Sequence, residues 1–207
     1  MTPDGRIDRP DLRLIADMVP EQARVLDLGC GDGELLAWLR DNRGVSGYGL
    51  EIDPDKITAC IARGVNVIER DIDVDLSDFE SDSFDMVVMA QTLQAMRHPD
   101  RVLEQMLRIA PAGIVTFPNF GYWRCRLYLA TRGRMPVASH LPHSWYDTPN
   151  IHLCTFADFE ALCAERGVAI SGRRVVDHRY RSSSLIDAVP NVFGTFAIYG
   201  LRRENER

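Results

Sequence analysis

Apolar positions along the chain fall into runs that alternate between two periods. Leu12, Ile15, Ala16 and Val19 recur at helical spacing, and Pro20 stops them. Arg24-Val25-Leu26-Asp27-Leu28 is a short apolar run that ends in glycines and predicts a buried strand. A second helix is expected over 34–42, with Leu35, Leu36, Trp38 and Leu39 on its apolar face and Gly44 as its stop. Val45 to Ile52 predicts the next strand, and Pro54 opens a helix through Arg63 that Gly64 ends. Val65 to Glu69 and Phe84 to Ala90 predict two more strands. The run Met86-Val87-Val88-Met89-Ala90 is continuous enough to be covered on both faces. Pro99 starts a helix carrying Val102, Leu103, Met106, Leu107 and Ile109, and Ile114 to Phe117 follows as the fifth strand.

Strands joined through helices by short crossovers predict an α/β, doubly wound and mostly parallel sheet. A helix over 155–166 is expected next, capped by Thr155. Val168 to Val176 and Thr195 to Leu201 then read as two strands with no helical pattern between them, which suits an antiparallel hairpin closing the sheet edge. Residues 118–154 are too long for an ordinary connection, so they are functional or carry a helix of their own. Tyr122 to Thr131, followed by Gly133, fits such a helix.

A length of 207 residues suits one domain, expected over 11–201 with 118–154 as an insertion. No apolar run approaches the ~20 residues of a membrane span, and Met1-Thr2-Pro3-Asp4-Gly5-Arg6 lacks the pattern of an export signal. The net charge of −6 argues against nucleic acid as a partner of the whole chain. Five cysteines without a Cys-x-x-Cys pair suggest reduced, buried thiols in a cytoplasm and no metal site.

The first strand runs into Asp27-Leu28-Gly29-Cys30-Gly31-Asp32-Gly33 and then a helix. Three glycines at alternate positions let the backbone turn sharply and let a ligand touch it directly. The dinucleotide fingerprint fails, because the third glycine would have to be Glu34 or Leu36. A phosphate-cradling lysine loop is absent, and Asp27 and Asp32 would repel a pyrophosphate. Glu51, with Ile52 beside it, ends the second strand, where a carboxylate is well placed for two ribose hydroxyls. Asp71 at the third strand tip can accept from an adenine amino group while Ile72 packs on the ring, and Gln91 ends the fourth strand.

An acidic nucleoside site of this kind resembles the S-adenosyl-methionine site of the class I methyltransferase fold, whose seven-stranded sheet has an antiparallel last strand. The resemblance implies that Asp27, Gly29, Gly31 and Gly33 surround the methionine end of S-adenosyl-L-methionine or S-adenosyl-L-homocysteine. It assigns Glu51 to the ribose, with Ile52 beside it among the cofactor-binding residues, Asp71 and Ile72 to the adenine, and Gln91 to the neighbourhood of the methionine.

Residues 117–159 hold nine of the 17 aromatic residues, and no acid occurs from Gln105 to Tyr146, a stretch containing Arg108, Arg124, Arg126, Arg132 and Arg134. Such a segment is a candidate face for a partner or an anionic substrate. The stretches Phe117-Pro118-Asn119-Phe120-Gly121-Tyr122-Trp123-Arg124-Cys125-Arg126 and Trp145-Tyr146-Asp147-Thr148-Pro149-Asn150-Ile151-His152, with the glycine loop and Gly49-Leu50-Glu51-Ile52-Asp53, are similar to the MetW family of methionine biosynthesis proteins. The resemblance implies a role beside homoserine O-acyltransferase as its partner or activator. The alternative is a methyltransferase acting on a small molecule, for which His152, His143 and His140 are the candidate bases.

Overall fold

A computed structural model of the chain describes residues 7–74 and 76–203; the N-terminal stretch discussed above, Met1–Arg6, lies outside them. Helix α1 (Pro10–Ala16) precedes β1 (Arg24–Leu28), α2 (Glu34–Arg43), β2 (Ser46–Glu51), α3 (Pro54–Ala62) and β3 (Val67–Glu69). Then come β4 (Met86–Ala90), α4 (Pro99–Ile109), β5 (Ala112–Pro118) and α5 (Trp123–Arg132). The chain continues with α6 (Phe156–Glu165), β6 (Val168–Val176), α7 (Ser184–Ala188), α8 (Pro190–Phe193) and β7 (Phe196–Arg203).

The seven strands form one sheet in the order β3-β2-β1-β4-β5-β7-β6. The pairs from β3 through β5 are parallel, and β7 runs antiparallel to both β5 and β6. This is the expected seven-stranded, doubly wound architecture of the class I methyltransferase fold. Strand alternation divides the core into two layers. Leu26, Leu28, Val87 and Met89 face a layer containing Leu103 and Met106 of α4 and Phe156 and Phe159 of α6. Val25, Met86 and Val88 face the layer of Ile15 from α1, Leu35 and Leu39 from α2 and Cys60 from α3. The order reverses between β1 and β4, so the carboxyl ends of these strands open the crevice where sheets of this type bind ligands.

Two expectations need correction. The described residues between β3 and β4 form no helix. Asp and Ser side chains compete there for backbone groups, as when the Asp71 carboxylate accepts from Asp73 N at 2.9 Å. Ile72, Leu76 and Phe84 still reach the core and cover the sheet in place of a helix. Between β6 and β7, where no helical pattern was expected, stand α7 and α8. Both are too short for periodicity to reveal; Ser183 caps α7 and Pro190 opens α8.

Thr155 caps α6 as expected, with a reciprocal bond: its side chain accepts from Asp158 N, and Asp158 accepts from Thr155 N at 2.8 Å. Thr155→Ala is expected to lower stability by about 1 kcal/mol, seen as a lower urea midpoint with an unchanged slope.

Candidate functional site

The glycine loop between β1 and α2 is built from three glycines with positive φ: +76° at Gly29, +58° at Gly31 and +75° at Gly33. Two of them are glycine for more than their φ. A Cβ on Gly29 would stand 2.6 Å from Thr92 Oγ1, and one on Gly33 would stand 3.0 Å from Cys60 Sγ. A Cβ on Gly31 would meet nothing within 4 Å. The outer two therefore serve close packing, and Gly31 faces open space at the strand edge.

Two carboxylates stand at the strand ends next to this loop. Asp27, on β1, is buried, and its Oδ1 has no hydrogen-bond partner. Burial pushes its carboxyl up to about 7; the nearby Arg9 opposes that rise, and the charge of Glu51 adds to it. Glu51, at the end of β2, is buried too, and accepts from Gly31 N at 2.9 Å, Ile52 N at 2.9 Å and Asp53 N at 3.2 Å. A carboxylate has about four acceptor positions, so Glu51 retains capacity for a further donor.

The remaining expected residues divide. Asp71 is exposed beyond β3, held by its turn bond to Asp73 N. Ile72 does not face the edge; it belongs to the core on the α4 side. Ile52 is the exposed apolar side chain at the neighbouring tip, 59% accessible. Gln91 follows β4 with φ +55°, rare for a residue with a side chain, held by its N–H to Thr116 O at 3.0 Å. Its Nε2 donates to Asp11 Oδ2 at 2.7 Å.

That bond belongs to a network the sequence did not reveal. Arg9 pairs with Asp11 at 2.5 Å, and Asp8 N donates to the Glu34 carboxylate. Tyr180, from the connection after β6, lies beside Asp11, Arg9 and Gln91, and burial raises its phenol above the ordinary range. The segment before α1 thus brings a guanidinium near Asp27 and Asp32. No local pattern marks it; a Pro-Asp pair at a helix start is ordinary first-turn chemistry.

The candidate bases do not gather at this edge. His140 is buried in the insertion, 3.7 Å from Cys125 Sγ and edge-on to Tyr122, and burial holds it below the usual histidine range. His143 is exposed beside Asp147 at 3.7 Å. His152 is exposed as well, but its backbone N–H donates to Gln94 O at 2.9 Å, which ties the end of the insertion to the segment after β4. The start of the insertion is anchored by Asn119, fully buried, whose Nδ2 donates to Gly194 O at 2.9 Å and whose Oδ1 accepts from Gly121 N at 2.8 Å. Cys30, Cys60, Cys125, Cys154 and Cys163 are free thiols, and burial raises the pKa of each. No helix among the described residues is long and apolar enough to cross a membrane.

Similarity to known proteins agrees with this geometry. A solved S-adenosylmethionine-dependent methyltransferase from Mesorhizobium loti superposes with a TM-score of 0.67 at 20% identity, covering 97% of this chain and 99% of that one. The cyclase SpnF superposes with a TM-score of 0.66 at 19% identity, covering 93% of this chain and 80% of its own. One fold carrying such different names leaves the reaction to the site. In sequence, the chain is 34% identical over 204 residues to a protein of Rhodopirellula baltica named bifunctional methionine biosynthesis protein MetXA/MetW, a match covering 94% of this chain and 33% of that one. The chain therefore spans about a third of that relative's length. The family described as methionine biosynthesis protein MetW matches residues 9–201, nearly the whole chain, with the glycine loop and the insertion inside the match. On these grounds the chain belongs to the MetW family of methionine biosynthesis proteins.

Proposed function

We propose that the protein binds S-adenosyl-L-methionine or S-adenosyl-L-homocysteine at the carboxyl edge of β1 and β2 and acts in the cytoplasm as a partner of homoserine O-acyltransferase. One observation carries the ligand reading: the buried Asp27 Oδ1 lacks a donor at the end of β1, just before a glycine loop that leaves open space at Gly31. A buried unpaired acceptor is costly, and an ammonium is the donor that offsets this best. The amino-acid end of the cofactor supplies one. Glu51 would accept from a ribose hydroxyl with its remaining acceptor position, and Ile52 would lie along the base, with Asp71 at the adenine amino group. Gly29 and Gly33 shape the loop, and Gln91 bounds the methionine end. When bound, the sulfonium form supplies an electrophilic methyl group.

Two observations favour a partner role over independent catalysis. The histidines that could serve as bases are buried away or spread over the insertion. The R. baltica relative unites MetXA and MetW in one polypeptide, which fits a MetXA acyltransferase working beside a MetW partner. The cofactor is an end product of methionine synthesis, so its binding would report supply if it favours one state of the complex. Gln91 bonds Asp11, its carbonyl accepts from Gln94, and Gln94 O accepts from His152 N; this is a continuous path from the ligand edge to the insertion.

The test measures the acyltransferase rate with and without the protein across a cofactor titration. The rate should rise on adding the protein and shift with cofactor. A rate indifferent to the protein overturns the partner role; a rate raised by the protein but indifferent to cofactor removes the sensing. The methyltransferase alternative rests on His152, which is tied to the segment following Gln91. Labelled methyl groups appearing on a metabolite over many turnovers would establish that alternative.

A further inference from the structure

Among the described residues, exposed apolar side chains concentrate in one segment of the chain. Of the 18 large hydrophobic residues that are exposed, ten lie between Trp123 and Leu153. Helix α5 is the extreme case: of its ten residues only Cys125 is buried. A ten-residue helix with so little packing gains little from its own propensity. It is held at its ends instead, where Arg126 donates to Gly121 O and Gly133 N donates to Leu129 O at 2.9 Å. Along it, Trp123 and Leu127 share one face and Arg124 and Tyr128 the adjoining one. The Arg124 guanidinium lies 5.3 Å from the Trp123 ring centre. The product is an apolar stripe edged by arginine, on a chain whose net charge is −6. None of these side chains takes part in the ligand edge.

We infer that α5 is the helix that docks the homoserine acyltransferase, setting Trp123 and Leu127 into an apolar groove whose rim carries aspartate and glutamate. This rests on the partner role proposed above. Charge selects the occupant. A second copy of this chain joined two-fold through α5 would bring Arg124, Arg126 and Arg132 near their own copies, with no acid between Gln105 and Tyr146 to separate them. An acid-rimmed groove on a different protein meets no such repulsion and gains on-rate from the opposite charge. The fused relative shows a MetXA unit and a MetW unit covalently kept together.

The experiment uses the purified full chain and the purified homoserine acyltransferase of the same genome, with affinity measured by calorimetry. Leu127→Asp, and separately Arg124→Glu with Arg132→Glu, should each weaken the complex by about tenfold or more, since central anchors carry most of the binding energy. Arg101→Glu, at an exposed position of α4, should leave it unchanged. Raising salt from about 50 to about 300 mM should weaken the wild-type complex and affect the double arginine variant less. Circular dichroism and cofactor affinity should match wild type in every variant. Equal binding by all variants overturns the docking surface while the partner role stands. A wild-type chain that does not bind the acyltransferase overturns both. A wild-type dimer that Leu127→Asp converts to monomer assigns the face to a second copy and overturns the inference.

Discussion

Asp27→Asn should flatten the acid limb of cofactor binding against pH and should stabilise the ligand-free protein above pH 7. Burial is the main cause that lifts the Asp27 carboxyl to about 7, against the pull of Arg9. An unfolded aspartate titrates near ~3.9. Between those values the native state keeps a proton that the unfolded state has lost, so stability falls as pH rises through that window. Above it the native carboxylate is charged, buried and half unsatisfied, a cost of roughly 2–4 kcal/mol that asparagine avoids. Denaturant melts near ~pH 5 and near ~pH 8 read this directly: the variant's advantage over wild type should be small at the lower pH and reach its full size at the higher.

The ligand reverses the balance. An ammonium at Asp27 favours the carboxylate, so affinity should climb about tenfold per pH unit up to the Asp27 value and decline once the ligand's own amino group, near ~7.7–8.0, loses its proton. Calorimetry across that range should trace a bell. In Asp27→Asn the acid limb should vanish and peak affinity fall by roughly 1.5–3 kcal/mol, or about 10- to 150-fold. A wild-type profile flat below pH 7 would show that Asp27 meets no cation of the ligand.

The second large effect separates two glycines of one loop. Gly31→Ala should fold with a loss of about 1 kcal/mol from its positive φ and should weaken cofactor binding by about two orders of magnitude, because its methyl group enters the space the ligand needs. Gly29→Ala should do the opposite kind of damage. Its methyl group would press on Thr92, whose hydroxyl donates to Ala90 O at 3.1 Å, so it should cost roughly 1–3 kcal/mol of stability beyond the φ strain. Thermal melts and calorimetry on both variants distinguish the two. If Gly31→Ala binds like wild type, the ligand does not approach that position.

Much of this was legible in residue order. The continuous run of β4, the glycine loop after β1 and the Thr155 cap each declare themselves within a few positions. Even α5, inside an otherwise unreadable insertion, followed from Tyr122 to Thr131 and the glycine after it. Other features left no trace. Ile72 follows a strand tip like a ligand residue, yet the helix-free stretch after β3 turns it into the core. His140, His143 and His152 are close in sequence but do not converge, because Asn119 and the Cys125–His140 contact fold the insertion around its own interior.

The amino-acid sequence alone determined the layered α/β sheet, the loop able to cradle a ligand and the acid-free insertion. Each is written in spacings of one to four residues, where strand and helix periods and glycine's backbone freedom act directly. The tertiary structure decided which polar groups are satisfied. Gln91 reaches Asp11 across 80 positions, Arg9 comes to stand near Asp27, and Asp27 Oδ1 is left without a donor while Glu51 accepts from the backbone N–H groups of Gly31, Ile52 and Asp53. Those outcomes depend on which distant segments share a buried volume, and desolvation, unlike periodicity, is a property of the assembled core.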